Sequence, residues 1–135
     1  MRLQISRRAD LAVRAAALLS VADGSLNATA LAESLDTTPG FLTQAVGPLV
    51  KAGLVRSTPG PTGGYTLVVD PSALTVLEVI ETVEGPTEHG RCVVADTPCT
   101  STSPCAMHHA WSAARDALLQ SLRSTSIRAF QGAFA

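Results

Sequence analysis

Aromatic side chains are scarce in this chain of 135 residues: one Trp, one Tyr and three Phe, or 4%. That excludes a core of stacked rings and leaves the packing to Leu, Val, Ile and Ala, within a hydrophobic share of 46%. Net charge is nearly absent, at −1, so no global basic field marks a nucleic-acid partner. No apolar run is long enough to span a bilayer, so no membrane-spanning helix is expected. The run 11–22 is broken by Arg14 and lacks a cleavage-site context, so no secretory leader is expected. The expected setting is therefore the cytoplasm. There are only three cysteines, an odd number that argues against a closed disulfide framework in a reducing compartment.

What is present is unevenly placed. Residues 1–69 hold six Lys/Arg against four Asp/Glu, a net of +2, and residues 70–135 hold four against seven, a net of −3. A modest phosphate-binding face belongs in the first half. Ser6 can cap a helix over 6–22, with Leu11, Ala15, Leu18, Leu19 and Ala22 at helical spacing. Asn27 can cap a second helix over 28–35, and Pro39 suits the first turn of a third over 39–52, which Gly53 stops. Gly47-Pro48 inside the third is a candidate kink. Extended runs 54–58 and 65–69 flank a Gly/Pro-rich turn and read as a hairpin. Pro71-Ser72 is expected to start a fourth helix ending at Gly85, and a last helix is expected from Cys105 to about Arg123.

Helix, helix, helix, hairpin is the order of a winged helix-turn-helix. The predicted fold class is mainly α with a small β-hairpin, plus a long C-terminal dimerisation helix. Two short helices brace a third that can enter a major groove, and the hairpin lies beside it. On the third helix and its lead-in, Thr37, Thr38, Thr43 and Gln44 are candidates to meet DNA, since Gln pairs with adenine and Thr with a thymine methyl or a phosphate. Arg7, Arg8, Lys51 and Arg56 are candidate phosphate partners, and Thr62 lies at the wing tip. Taken singly, each of these polar residues also reads as ordinary solvated surface; the ordered architecture joins them.

The cysteines form C-x6-C-x5-C-x2-H through Cys92, Cys99, Cys105 and His108, in a loop over about 86–104 rich in Pro, Thr and Ser. Three thiolates and one further donor complete a four-ligand site. Wide intervals suit a loop wrapped on an iron–sulfur cluster, whereas structural zinc is usually clipped by C-x2-4-C pairs. Spacing alone leaves three readings open: cluster, Cys3His zinc, or unliganded thiols. His89 and His109 lie nearby, each read more readily as a surface histidine.

Several segments together resemble the IscR/NsrR-type family of bacterial winged-helix iron–sulfur regulators over about residues 1–123. They are Met1-Arg2-Leu3, Leu49-Val50-Lys51-Ala52-Gly53-Leu54-Val55, the wing Gly60-Pro61-Thr62-Gly63-Gly64-Tyr65-Thr66-Leu67, Leu74-Thr75-Val76-Leu77-Glu78-Val79-Ile80-Glu81 and Val83-Glu84-Gly85. The chain departs from IscR-like members at Pro59, where an Arg often precedes the first wing glycine, and at Thr62, where a basic residue is common. The first cysteine interval is one residue longer than in the relatives compared. The resemblance implies a 4Fe–4S or 2Fe–2S cluster on Cys92, Cys99 and Cys105. It offers two fourth ligands: His108, in Cys-x2-His-x2-Trp through Trp111, and Asp10 of the partner subunit, within Asp10-Leu11-Ala12-Val13-Arg14. For Asp10 the plainer reading is a first-turn carboxylate favoured by the helix dipole.

The stripe Trp111, Ala114, Leu118, Leu119 and Leu122 on the last helix calls for a partner helix, hence a homodimer on a roughly palindromic double-stranded operator. The expected organisation is a DNA-binding domain over 1–70, a connecting helix and cysteine loop over 71–104, and a dimerisation helix and tail over 105–135. The expected function is transcription regulation, as a repressor sensing nitric oxide or redox stress. Sensing of cluster supply, or a cluster-free thiol or zinc switch, stands as the alternative. An enzyme is not expected: the Cys–His pair lacks an oxyanion-hole motif or phosphate loop beside it.

Overall fold

The computed structural model describes residues 4–87 and 104–130. Helix α1, Arg7–Val21, lies at the centre and packs against α3, α4 and α6. Its buried face is largely alanine (Ala9, Ala12, Ala15, Ala16 and Ala17), and side chains this small let neighbouring helices approach closely. Ser6 caps it, its hydroxyl accepting from the Ala9 N–H at 3.0 Å. Helix α2, Ala28–Ser34, is capped by Asn27 at 2.8 Å from the Ala30 nitrogen.

The turn into α3, Pro39–Lys51, runs through Asp36 at φ 53°, a left-handed position that Asp tolerates. The Asp36 and Thr37 N–H groups return to the Glu33 and Ala32 carbonyls, closing α2 without a glycine. At the other end of α3, Gly53 takes φ 79°, and the Gly53 and Leu54 N–H groups bond the Val50 and Leu49 carbonyls. Helix α3 continues unbroken through Pro48.

Strands β1, Val55–Thr58, and β2, Gly64–Leu67, pair antiparallel with Ser57 opposite Tyr65. Each is one residue shorter than the run expected from sequence; the Leu54 N–H closes α3, while its carbonyl still accepts from the Val68 N–H at 3.1 Å. Leu26 adds a single rung outside β2: its N–H reaches the Tyr65 carbonyl at 3.0 Å and its carbonyl accepts from Tyr65 at 2.8 Å.

Helix α4, Val76–Glu84, starts later than the expected Pro71-Ser72. Thr75 and Glu78 form a capping box there, and Asp70 instead turns the preceding segment by accepting from Ser72. Helix α5, His108–Arg123, likewise starts three residues after Cys105. Helix α6, Ile127–Phe130, brings the chain back: Val76 N–H bonds the Thr125 carbonyl at 2.9 Å and Ile127 N–H bonds the Leu74 carbonyl at 2.8 Å. Ile127 is fully buried in one cluster with Leu31, Leu42, Val46, Leu49 and Val79. Among the described residues no helix is long and apolar enough to cross a membrane.

Candidate nucleic-acid interface and metal centre

The outer face of α3 presents Thr43, Gln44 and Lys51, all exposed. The residues sequence marked at its start are less alike. Thr38 is exposed, but its hydroxyl oxygen caps α3 by accepting from the Phe41 N–H at 3.2 Å. Thr37 is half-buried. Thr43 donates its hydroxyl to the Pro39 carbonyl at 2.9 Å, which leaves its oxygen to accept. Gln44 is exposed and takes part in none of these local bonds.

The wing divides its residues by the two-residue alternation of a strand. Val55 is buried, so Ser57 shares its inward face, while Arg56 and Thr58 lie on the other face of the ribbon. Between α3 and the wing is an open hollow of about 570 Å³, lined by Thr43, Gly47, Pro48, Lys51, Ser57 and Tyr65. Ser57 and Tyr65 were not singled out from sequence; their pairing across the hairpin, visible only once the register is known, brings them beside Lys51. Thr62 and Pro59 are exposed beyond the strands, so a basic tip is absent there.

The first turn of α1 touches two distant elements. The Arg7 guanidinium stands 5.9 Å from the centre of the Phe41 ring on α3. Arg8 turns the other way, its Nη2 donating to the Val83 carbonyl at the end of α4 at 3.0 Å. The Ser6 N–H donates to Glu84 Oε1 at 2.6 Å. Just beyond, the Thr87 N–H donates to Glu81 Oε2 at 2.7 Å. The chain that leads into the cysteine segment therefore departs from a point tied to α1. Asp10, one turn further on, is held by Arg14, whose Nε donates to both carboxylate oxygens at 3.0 Å.

Cys105 is half-buried, forms no disulfide, and lies one turn before α5, its carbonyl accepting from the His108 N–H at 3.1 Å. The His108 ring meets His109 edge-on at 5.3 Å. Of the predicted donors, Cys105 and His108 are thus brought into one turn, and Asp10 sits on another helix. Cys92, Cys99 and His89 lie outside the described residues. Among the described residues no three His, Cys, Asp or Glu side chains gather as a metal site.

A three-helix head with an exposed third helix, a hairpin wing and a long trailing helix define a winged-helix transcription regulator. The chain belongs to the Rrf2 family, whose model, described as an iron-dependent transcriptional regulator, matches residues 5–131. It is 28% identical over 90 residues to an HTH-type regulator of Aquifex aeolicus, a match covering 65% of this chain and 62% of that protein. It is 31% identical over 105 residues to CymR of Bacillus subtilis, covering 78% and 71%. The structure of B. subtilis CymR, described as the global cysteine regulator, superposes with a TM-score of 0.79 at 28% identity over 97% of this chain and 98% of that one. IscR of Photorhabdus laumondii is 36% identical over 87 residues, covering 64% and 52%. The chain spans about three fifths of the length of the first of these relatives, and its fold and family are those of DNA-binding transcription regulators rather than of enzymes.

Proposed function

We propose that the chain is a homodimeric repressor, working in the cytoplasm, whose grip on DNA follows an iron–sulfur cluster and thereby reports nitric oxide or redox stress. The observation that carries this reading is Cys105 beside His108 at the foot of α5, in a chain whose cysteine segment leaves α4 where α1 is hydrogen-bonded to it. The donor set fits: three thiolates suit soft iron, and His108 or the partner's Asp10 supplies the fourth position. When bound, the cluster supplies an oxidant-sensitive iron–thiolate link. The chain's own part is to hold Cys105 against α5 and to keep Asp10 on Arg14 until it is called on. Releasing the thiols would free the end of α4, and with it Ser6 and Arg8 on the helix that packs against α3.

Helix α5 supports the dimer. None of its residues is buried, and Leu118 is 47% exposed, a poor arrangement for a helix that works alone. Two copies would set two α3 helices about one turn of DNA apart on a palindromic site.

The likeness to CymR favours one second reading, a cluster-free switch in which the three thiols respond directly. A visible spectrum with iron and sulfide assays on anaerobically purified, reconstituted protein separates the two. The cluster reading expects colour, iron and sulfide that fall in Cys105→Ser. A colourless, iron-free wild type would sink it, and DNA binding that then tracked thiol oxidants would favour the second. Footprinting on the chain's own upstream region tests the operator.

A further inference from the structure

Arg7 and Arg8 are adjacent, yet only Arg7 is turned toward α3. Both are exposed, but the Arg8 Nη2 donates to the Val83 carbonyl, whereas the Arg7 guanidinium stands 5.9 Å from the Phe41 ring centre. Phe41 lies in the first turn of α3 and packs, half-buried, against the core, so its ring is a fixed platform. A guanidinium is planar and weakly hydrated; it can rest against an aromatic ring while its N–H groups point outward to an anion. The N-terminal turns of a reading helix approach the groove edge, where backbone phosphates flank them.

We propose that Phe41 is a positioning residue for DNA binding: its ring holds Arg7 beside the start of α3, where Arg7 takes a backbone phosphate of the duplex. The proposal rests on α3 being the reading helix. An unsupported arginine on a first helical turn loses rotamer freedom when it pairs with a phosphate, and a ring seat removes part of that loss beforehand. Phosphate contacts carry no base information, so the effect is the same for any sequence.

Wild type, Arg7→Ala, Phe41→Leu and the double variant are compared by fluorescence anisotropy across a salt series. The probes are a mixed-sequence duplex and the chain's own upstream region, and thermal unfolding is recorded for each protein. Phe41→Leu is expected to weaken binding to both duplexes by about two- to five-fold. Arg7→Ala weakens binding further and lowers the slope of log affinity against log salt by about one. The double variant binds no more weakly than Arg7→Ala alone, and Phe41→Tyr restores the wild-type value. Arg7→Lys, which leaves the fold untouched, keeps the salt slope but loses affinity. Losses that multiply in the double variant, failure of Phe41→Tyr to restore binding, or an unchanged Arg7→Lys would overturn the pairing while leaving DNA binding intact. A wild type that binds neither duplex overturns the DNA reading of α3 and this proposal with it.

Discussion

Gln44 and Lys51 stand at different points of the exposed face of α3, and the proposed function gives them different work. Gln44→Ala is expected to weaken operator binding by about 1–3 kcal/mol and leave mixed-sequence DNA untouched, read by competition binding. Lys51→Ala should weaken both equally and reduce the salt slope by about one. Sequence named both as candidates, and their exposure follows from the period of an amphipathic helix. It could not separate Arg7 from Arg8. Their difference depends on Val83, which lies 75 residues from Arg8 and reaches it only through the fold. Thr38 shows the converse: sequence put it among the candidates to meet DNA, and the structure gives its hydroxyl a capping bond in the frame of α3.

At the level of elements, starts and stops with local chemistry were legible: Ser6, Asn27 and Gly53 act where sequence put them. The start of α4 was misplaced, because Pro71-Ser72 and the capping box at Thr75 are competing signals and the box satisfies two backbone N–H groups, those of Thr75 and Glu78, at once. The rung from Leu26 to Tyr65 was not legible, since one bridge has no periodicity. It makes the wing depend on Gly64. There φ is +144°, and a Cβ would come within 2.6 Å of the Leu26 carbonyl oxygen. Gly64→Ala is expected to cost about 1–3 kcal/mol of stability in chemical denaturation and to loosen DNA binding by displacing the wing.

For the whole molecule, the exposed apolar side of α5 and the buried anchor of α6 act in opposite directions. Leu118→Arg is expected to shift sedimentation from dimer to monomer with little change in the fold of one subunit, since Leu118 is exposed within it. Ile127→Ala, by contrast, is expected to cost about 2–5 kcal/mol in equilibrium unfolding, because Ile127 is 0% exposed among the core residues of α1, α2, α3 and α4. Sequence put Ile127 only in the tail that follows the last helix; the returning chain, bonded to Pro71, Leu74 and Val76, gives it its place in the core. That return sets a sequence of events during synthesis. The three-helix head emerges from the ribosome long before Ile127, and until Ile127 arrives the centre of the head is unfinished. A nascent chain halted before α6 should therefore remain protease-sensitive throughout α1–α4, and one extended past Phe130 should become resistant in a single step. The head that carries α3 would then be completed only after α5 has been made, so a chain stopped between α4 and α6 would lack a finished core.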